Sequence, residues 1–261
     1  MNKYSKFFLI LTIAVVGLAI LAVAGDSYLK NYELKSGVAA YRAGNYDAAI
    51  SHFQKAAKLE LNPGNTMAKE YLATALAQKV VPGLETPDNM QNAQHAIDVF
   101  QQVLAKKPHD VDSMKMIAGI ELNIKNLEEA KAWQKKALAE DPRDPEMAYM
   151  IGAIDWMEAH QNVLEALGPA GFNDDGEGNA KVPAKVMKPL KDKNTPLVAD
   201  GLEYLNQALE NRPNYVDAMV YLNLMYRSKA DLDYGNEAAR KMDVAKAEEW
   251  RRKAFATRKA N

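Results

Sequence analysis

Four pairs of residues in this chain recur at one spacing of 34: Pro108 and Pro142, Ala96 and Ala130, Val103 and Ala137, Ala118 and Gly152. A fixed period of that length restricts the fold more than any local signal. Each period is one supersecondary unit, too small to bury its apolar face alone, so neighbouring units must stack. The residue types at the recurring columns point to helices. Small side chains let two helices approach to about 8–10 Å. A proline cannot continue a helix, so the chain turns there into the next unit.

These columns resemble the tetratricopeptide repeat, a helix–turn–helix family. The family keeps small residues at positions 8, 20 and 27, a bulky residue at 24 and a proline near 32. The first unit shows Gly37, Gly44, Tyr46, Ala49, Phe53 and Ala56, with Pro63 two residues late. The second shows Ala73, Ala96, Phe100, Val103 and Pro108, and the third Ala118, Ala130, Ala137 and Pro142. Gly152, Gly201, Leu205, Ala208 and Pro213 follow in the fourth, then Asn223, Ala247, Trp250 and Ala254 in the fifth. The resemblance covers residues 25–261. It implies an all-α fold, a right-handed superhelix (α-solenoid) of about five units whose first helices line a concave groove.

Spacing between the first two small positions is 12 residues in the third unit, from Ala118 to Ala130. It grows to 23 from Ala73 to Ala96, 49 from Gly152 to Gly201 and 24 from Asn223 to Ala247. Insertions are therefore expected in units 2, 4 and 5. The short stretch Val80 to Asn89, with Pro82, Gly83 and Pro87, reads as an extended loop. In unit 5 the excess around Lys229 to Arg240 reads as lengthened helices. The long insertion, about 157–200, holds the loop-forming run Asn173 to Asn179. It then carries Lys181, Lys185, Lys188, Lys191 and Lys193, read as a solvated arm broken by Pro183, Pro189 and Pro196. Gln134 and Arg251 depart from the bulky position, so Trp133, Tyr204 and Trp250, one residue earlier, are expected to pack instead. Asn223 replaces a small residue and needs a hydrogen-bond partner. The basic last helix, Val244 to Lys259, suits a terminal cap.

Phe7 to Ala24 is an uncharged run preceded by Lys3 and Lys6. Its length, about 27 Å as a helix, matches a bilayer core. Ala22-Val23-Ala24 also fits a secretory cleavage site. Residues 1–24 are therefore expected to be a transmembrane anchor or a signal peptide. Either would place residues 25–261 outside the cytoplasm: anchored in a bacterial inner membrane and facing the periplasm, or soluble and periplasmic or secreted. The chain has no cysteine, which removes disulfides, thiolate metal sites and a cysteine nucleophile. Net charge is −1, without the basic excess that nucleic-acid binding requires.

Motifs of catalysis are missing. The four histidines, His52, His95, His109 and His160, form no zinc-protease pattern, and neither a nucleophile elbow nor a phosphate-binding glycine loop occurs. Counted from Asn173, the closing position of an EF-hand loop is Ala184, which cannot ligate calcium. No cofactor or metal is expected. The resemblance implies a non-catalytic scaffold that binds a protein segment in its groove, with an accessory subunit of an enzyme or assembly machine as the alternative. Its ligand-facing positions transfer here to Tyr41, Arg42, Glu70, Lys115, Asn123, Tyr149, Trp156 and Arg227. Homo-oligomers, in which one copy's groove takes another's terminal helix, are a further expectation, and residues 7–24 would contact a membrane if uncleaved.

Overall fold

A computed structural model describes residues 25–62 and 64–260. Among them the chain is helical, without a strand. The first helix, α1, covers 25–42. It is followed by α2 (Tyr46–Lys58), α3 (Met67–Ala77), α4 (Pro87–Leu104) and α5 (Val111–Asn123). Next come α6 (Leu127–Glu140), α7 (Pro145–Leu167), α8 (Ala184–Asn211), α9 (Val216–Leu232) and α10 (Glu237–Ala260). The helices follow the helix–turn–helix order of an α-solenoid, as expected, with α3 packed on α4, α7 on α8 and α9 on α10. The contacts divide the chain after Lys125 into two compact units.

Helix ends follow local chemistry. Asn45 accepts from the Ala48 amide and Asp110 from that of Ser113, so side chains satisfy orphan donors at the starts of α2 and α5. Asp144 does the same for α7, accepting from Glu146 at 2.7 Å and Met147 at 3.2 Å, ahead of Pro145 in the first turn. Prolines 108, 142 and 213 lie just past α4, α6 and α8.

In the first unit Phe53, Ala56, Ala73, Ala96, Phe100, Val103 and Ala118 are buried, the residues of the repeat columns. The insertion between α3 and α4 is shorter in loop than the sequence suggested, because α4 begins at Pro87. Asn89 is buried and ties the loop down, accepting from Val81 N and donating to the carbonyls of Val81 and Leu84.

The second unit corrects the reading of the long insertion as a solvated arm. Most of it extends helices: α7 has 23 residues and α8 has 28, with Pro189 and Pro196 inside α8. Each proline removes one backbone hydrogen bond. Tertiary packing offsets that loss. Met187, Leu190, Asn194 and Val198 form a buried stripe on α8, and Met187 and Leu190 join Val163, Leu167 and Val182 in one cluster. Asn194 donates to Ala159 O at 2.9 Å and accepts from Asn162 at 2.8 Å, so these buried amides are satisfied. The excess in the fifth pair lengthens α9 and α10, as expected.

Gln134 stays at the buried position rather than yielding it to Trp133. Trp133, Tyr204 and Trp250 are half-buried with lysines over their rings (Lys136, Lys135 and Lys253), so they do not replace the missing core residue.

The expectation of a membrane-anchored chain is corrected. Among the described residues no helix is long and apolar enough to cross a membrane. Even the 23 residues of α7 carry Glu146, Asp155, Glu158 and Glu165. Residues 7–24, on which the anchor, the signal and the periplasmic placement rested, lie outside the described residues.

Candidate functional site

In the first unit α1 and α3, the first helices of their pairs, border an apolar cleft. One part, about 480 Å³, runs from Asn31 and Leu34 to Arg42 on α1 and meets Met67 and Tyr71 on α3. An adjoining part, about 350 Å³, continues past Val38 and Tyr41 to Phe53 and Thr74. Two of the expected site residues, Tyr41 and Arg42, line it. Tyr41 is held edge-on to Tyr46, with centroids 5.5 Å apart. Tyr71 rests against Phe53 at 5.4 Å yet is 40% exposed, and Met67 is 42% exposed. Large apolar groups are thus fixed by packing but open to solvent.

The other expected residues of this unit do not join the cleft. Glu70 bonds Lys107 at 2.6 Å and accepts from the Thr66 hydroxyl at 2.5 Å. Lys115 and Asn123 are half-buried on α5. The Asn123 carbonyl accepts from Gly83 N at 2.8 Å, which joins the end of α5 to the loop after α3.

In the second unit the corresponding helices, α7 and α9, fill the space between them with their own rings. Tyr149 packs against Tyr215 at 5.1 Å and Tyr221 at 5.4 Å. Trp156 meets Tyr221 edge-on at 5.5 Å and stacks on His160 at 5.0 Å. Burial pushes the Tyr149 phenol well above its ordinary range, helped by Tyr221 and Asp217. Burial, with Glu146 and Asp217, raises Tyr215 to about 12.

Arg227 was expected to be a ligand anchor. Here its guanidinium is fully engaged inside the unit. It donates to Asn223 Oδ1 at 3.2 Å, to the Gly176 carbonyl at 2.7 Å and to the Glu248 carboxylate. Asn223 thereby gains its partner, and Gly176 belongs to the turn between α7 and α8. That turn is held at further points. Arg240 donates to Glu177 O at 2.5 Å, and Asn179 donates to Asp231 at 2.7 Å. Asp174 and Asp175 accept backbone amides at Gly176, Glu177 and Asn179, so the acidic run is a folded turn and not a free one. Burial, together with Asp174 and Asp175, pushes the Asp231 carboxyl up to about 8.

A second buried carboxylate, Asp155 on α7, bonds Lys131, which also reaches Asp200 at 3.2 Å. Burial outweighs the lysine and raises Asp155 to about 6. Through Lys131 it ties α6 to α7 and α8. Among the described residues no group of three or more metal-ligating side chains occurs.

Tyr71 escapes the positional transfer because it falls one residue past Glu70, whereas Met67, six residues before Ala73, stands at a ligand-facing position itself. Their signal was a Met and a Tyr at i, i+4 in an otherwise alanine-rich helix. Tyr221, one residue past Val220, escapes the transfer in the same way, and Tyr215 precedes the fifth unit.

Comparison with known proteins follows the same lines. Two family profiles described as tetratricopeptide repeat match residues 34–80 and 90–154. No curated protein matches the chain. Among solved structures, a MamA protein superposes with a TM-score of 0.58 at 12% identity, covering 89% of this chain and 93% of that one. MamA 41-end from Desulfovibrio magneticus RS-1 gives 0.57 at 16% identity, with coverage of 89% and 97%. YrrB, titled a TPR protein with an unusual peptide-binding site, gives 0.51 at 13% identity, with coverage of 87% and 90%. Small residues at tight crossings, the two matching profiles and these likenesses agree: the chain carries tetratricopeptide repeats, matched over residues 34–80 and 90–154, and has the helix–turn–helix fold of such repeats.

Proposed function

We propose that this protein is a non-catalytic interaction scaffold that holds a segment of a partner protein in the cleft between α1 and α3. One observation carries the reading. Tyr71 and Met67 are exposed apolar side chains one helical turn apart that line the same cleft with Leu34 and Val38. Exposed apolar surface of this kind, framed by polar groups, is what partner recognition uses. Tyr41 and Arg42, expected from the repeat register, belong to this site. Tyr149 and Trp156 support the reading less, because α7 and α9 already pack them against their own aromatic neighbours. YrrB is a precedent in fold for peptide binding and no more than that.

A photoreactive amino acid at position 71 in the full-length chain tests this in cells. The expected result is one dominant protein adduct that disappears when Val38→Glu places a charge on the cleft floor. Equal adducts from position 71 and from position 136, on the exposed side of α6, would overturn it.

A further inference from the structure

The reading above names a place, and the charges around it name a chemistry. Lys35 and Arg42 lie seven residues apart on α1, with Val38 between them, and all three line the cleft. Seven residues of helix is about 10 Å, or two turns. Both cations are exposed. Among the described residues neither has a carboxylate partner.

Carboxylates near the cleft are committed elsewhere. Glu33 on α1 bonds His52 at 2.5 Å, and Glu70, next to Tyr71, is held by Lys107 and Thr66. Lys30 is paired with Glu60, and Lys69 donates to Gln102. What remains is two uncompensated cations bracketing an apolar floor. Low-dielectric walls strengthen the field of such charges, and an arriving carboxylate gains a charge-assisted hydrogen bond, bidentate in the case of arginine.

Resting on the proposed function, we infer that the bound segment is an acidic, apolar peptide whose carboxylates flank its apolar anchors. The geometry sets the register. Asn31 to Arg42 spans about 16 Å, enough for three helical turns or about five extended residues. Acidic residues seven apart on a helical partner, or about three apart on an extended one, reach Lys35 and Arg42 together. The apolar side chains between them then meet Val38, Met67 and Tyr71. A basic segment of the same apolar content is repelled at both ends.

The test is selection from a random twelve-residue peptide display library on the full chain, repeated on three variants. These are the charge reversal Lys35→Glu/Arg42→Glu, and Tyr71→Ala and Met67→Ala as two independent lesions of the cleft. Circular dichroism confirms that each is folded. The expected result is enrichment of acidic–apolar peptides that lose about tenfold or more in affinity on both cleft lesions. The same peptides lose at least as much on charge reversal, and the reversed protein then selects basic–apolar sequences. Peptides that depend on Tyr71 and Met67 but bind the reversed protein equally would overturn the acidic inference while leaving the cleft reading standing. Enrichment of only cleft-independent peptides, or of none, would overturn both.

Discussion

Leu205 lies over Gly152 so closely that a methyl group added to the glycine would stand 2.6 Å from its Cγ and 3.0 Å from Gly201 O. Leu205 is fully buried and Gly201 O is backbone, so neither can yield cheaply. Helix propensity alone favours Ala over Gly by about 1 kcal/mol. Overpacking works the other way by about 1–3 kcal/mol. Gly152→Ala is therefore expected to lower the thermal midpoint, and Gly152→Ala/Leu205→Ala to lose less than the sum of the two single changes. Thermal denaturation of the four proteins decides it, and a Gly152→Ala variant more stable than the parent would refute the crossing.

Stability is expected to fall between about pH 4 and pH 8. Asp231 is raised to about 8 by burial and by Asp174 and Asp175, and Asp155 to about 6 by burial. A group whose folded pKa exceeds its unfolded one contributes fully below the unfolded value. That contribution is lost as pH rises through the folded value, at up to about 1.4 kcal/mol per pH unit. Asp155 acts from about pH 4 to 6, Asp231 from about pH 4 to 8. Urea midpoints measured at pH 6 and pH 8 should show the drop, and Asp231→Asn should flatten it above pH 6.

Arg227 is held within the second unit by Asn223, the Gly176 carbonyl and Glu248. Its loss in Arg227→Ala leaves the Gly176 carbonyl and the Glu248 carboxylate without this donor, at a cost of about 1–3 kcal/mol. Hydrogen exchange at residues 173–179 should accelerate while that of α3 stays unchanged. Peptide binding in the α1–α3 cleft should not respond.

Two phenols are expected to resist alkali. Tyr149 and Tyr215 are raised by burial, Tyr215 to about 12, whereas tyrosine ordinarily ionises near 10. An ultraviolet titration of the native protein should leave at least two of the 12 tyrosines protonated at pH 11. Tyr149→Phe should reduce that resistant set by one.

Legibility in the amino-acid sequence tracked the range of the interactions. Small residues at helix crossings act through the next helix in the chain, so Gly37, Ala96, Gly152 and Gly201 could be placed by spacing. Pro189 and Pro196 misled because their local preference was outweighed by Met187, Leu190 and Val198 packing in the second unit. Register alone put Tyr41 and Arg42 at the cleft. It also marked Arg227, whose actual partners are the backbone carbonyl of Gly176, the Asn223 amide and the distant Glu248. No residue pattern announces an acceptor supplied by a turn 51 residues away.

The tethered turn between α7 and α8 changes how this part of the chain can fold. A plain repeat array gains its contacts from adjacent units and can grow one helix pair at a time. Here Arg227, Asn179 and Arg240 close contacts across 51, 52 and 63 residues. Chain entropy must be lost over those loops before the contacts return anything, which slows the search. Helices α7 to α10 are therefore expected to form as one cooperative block, and a ribosome must release α10 before these four helices can close.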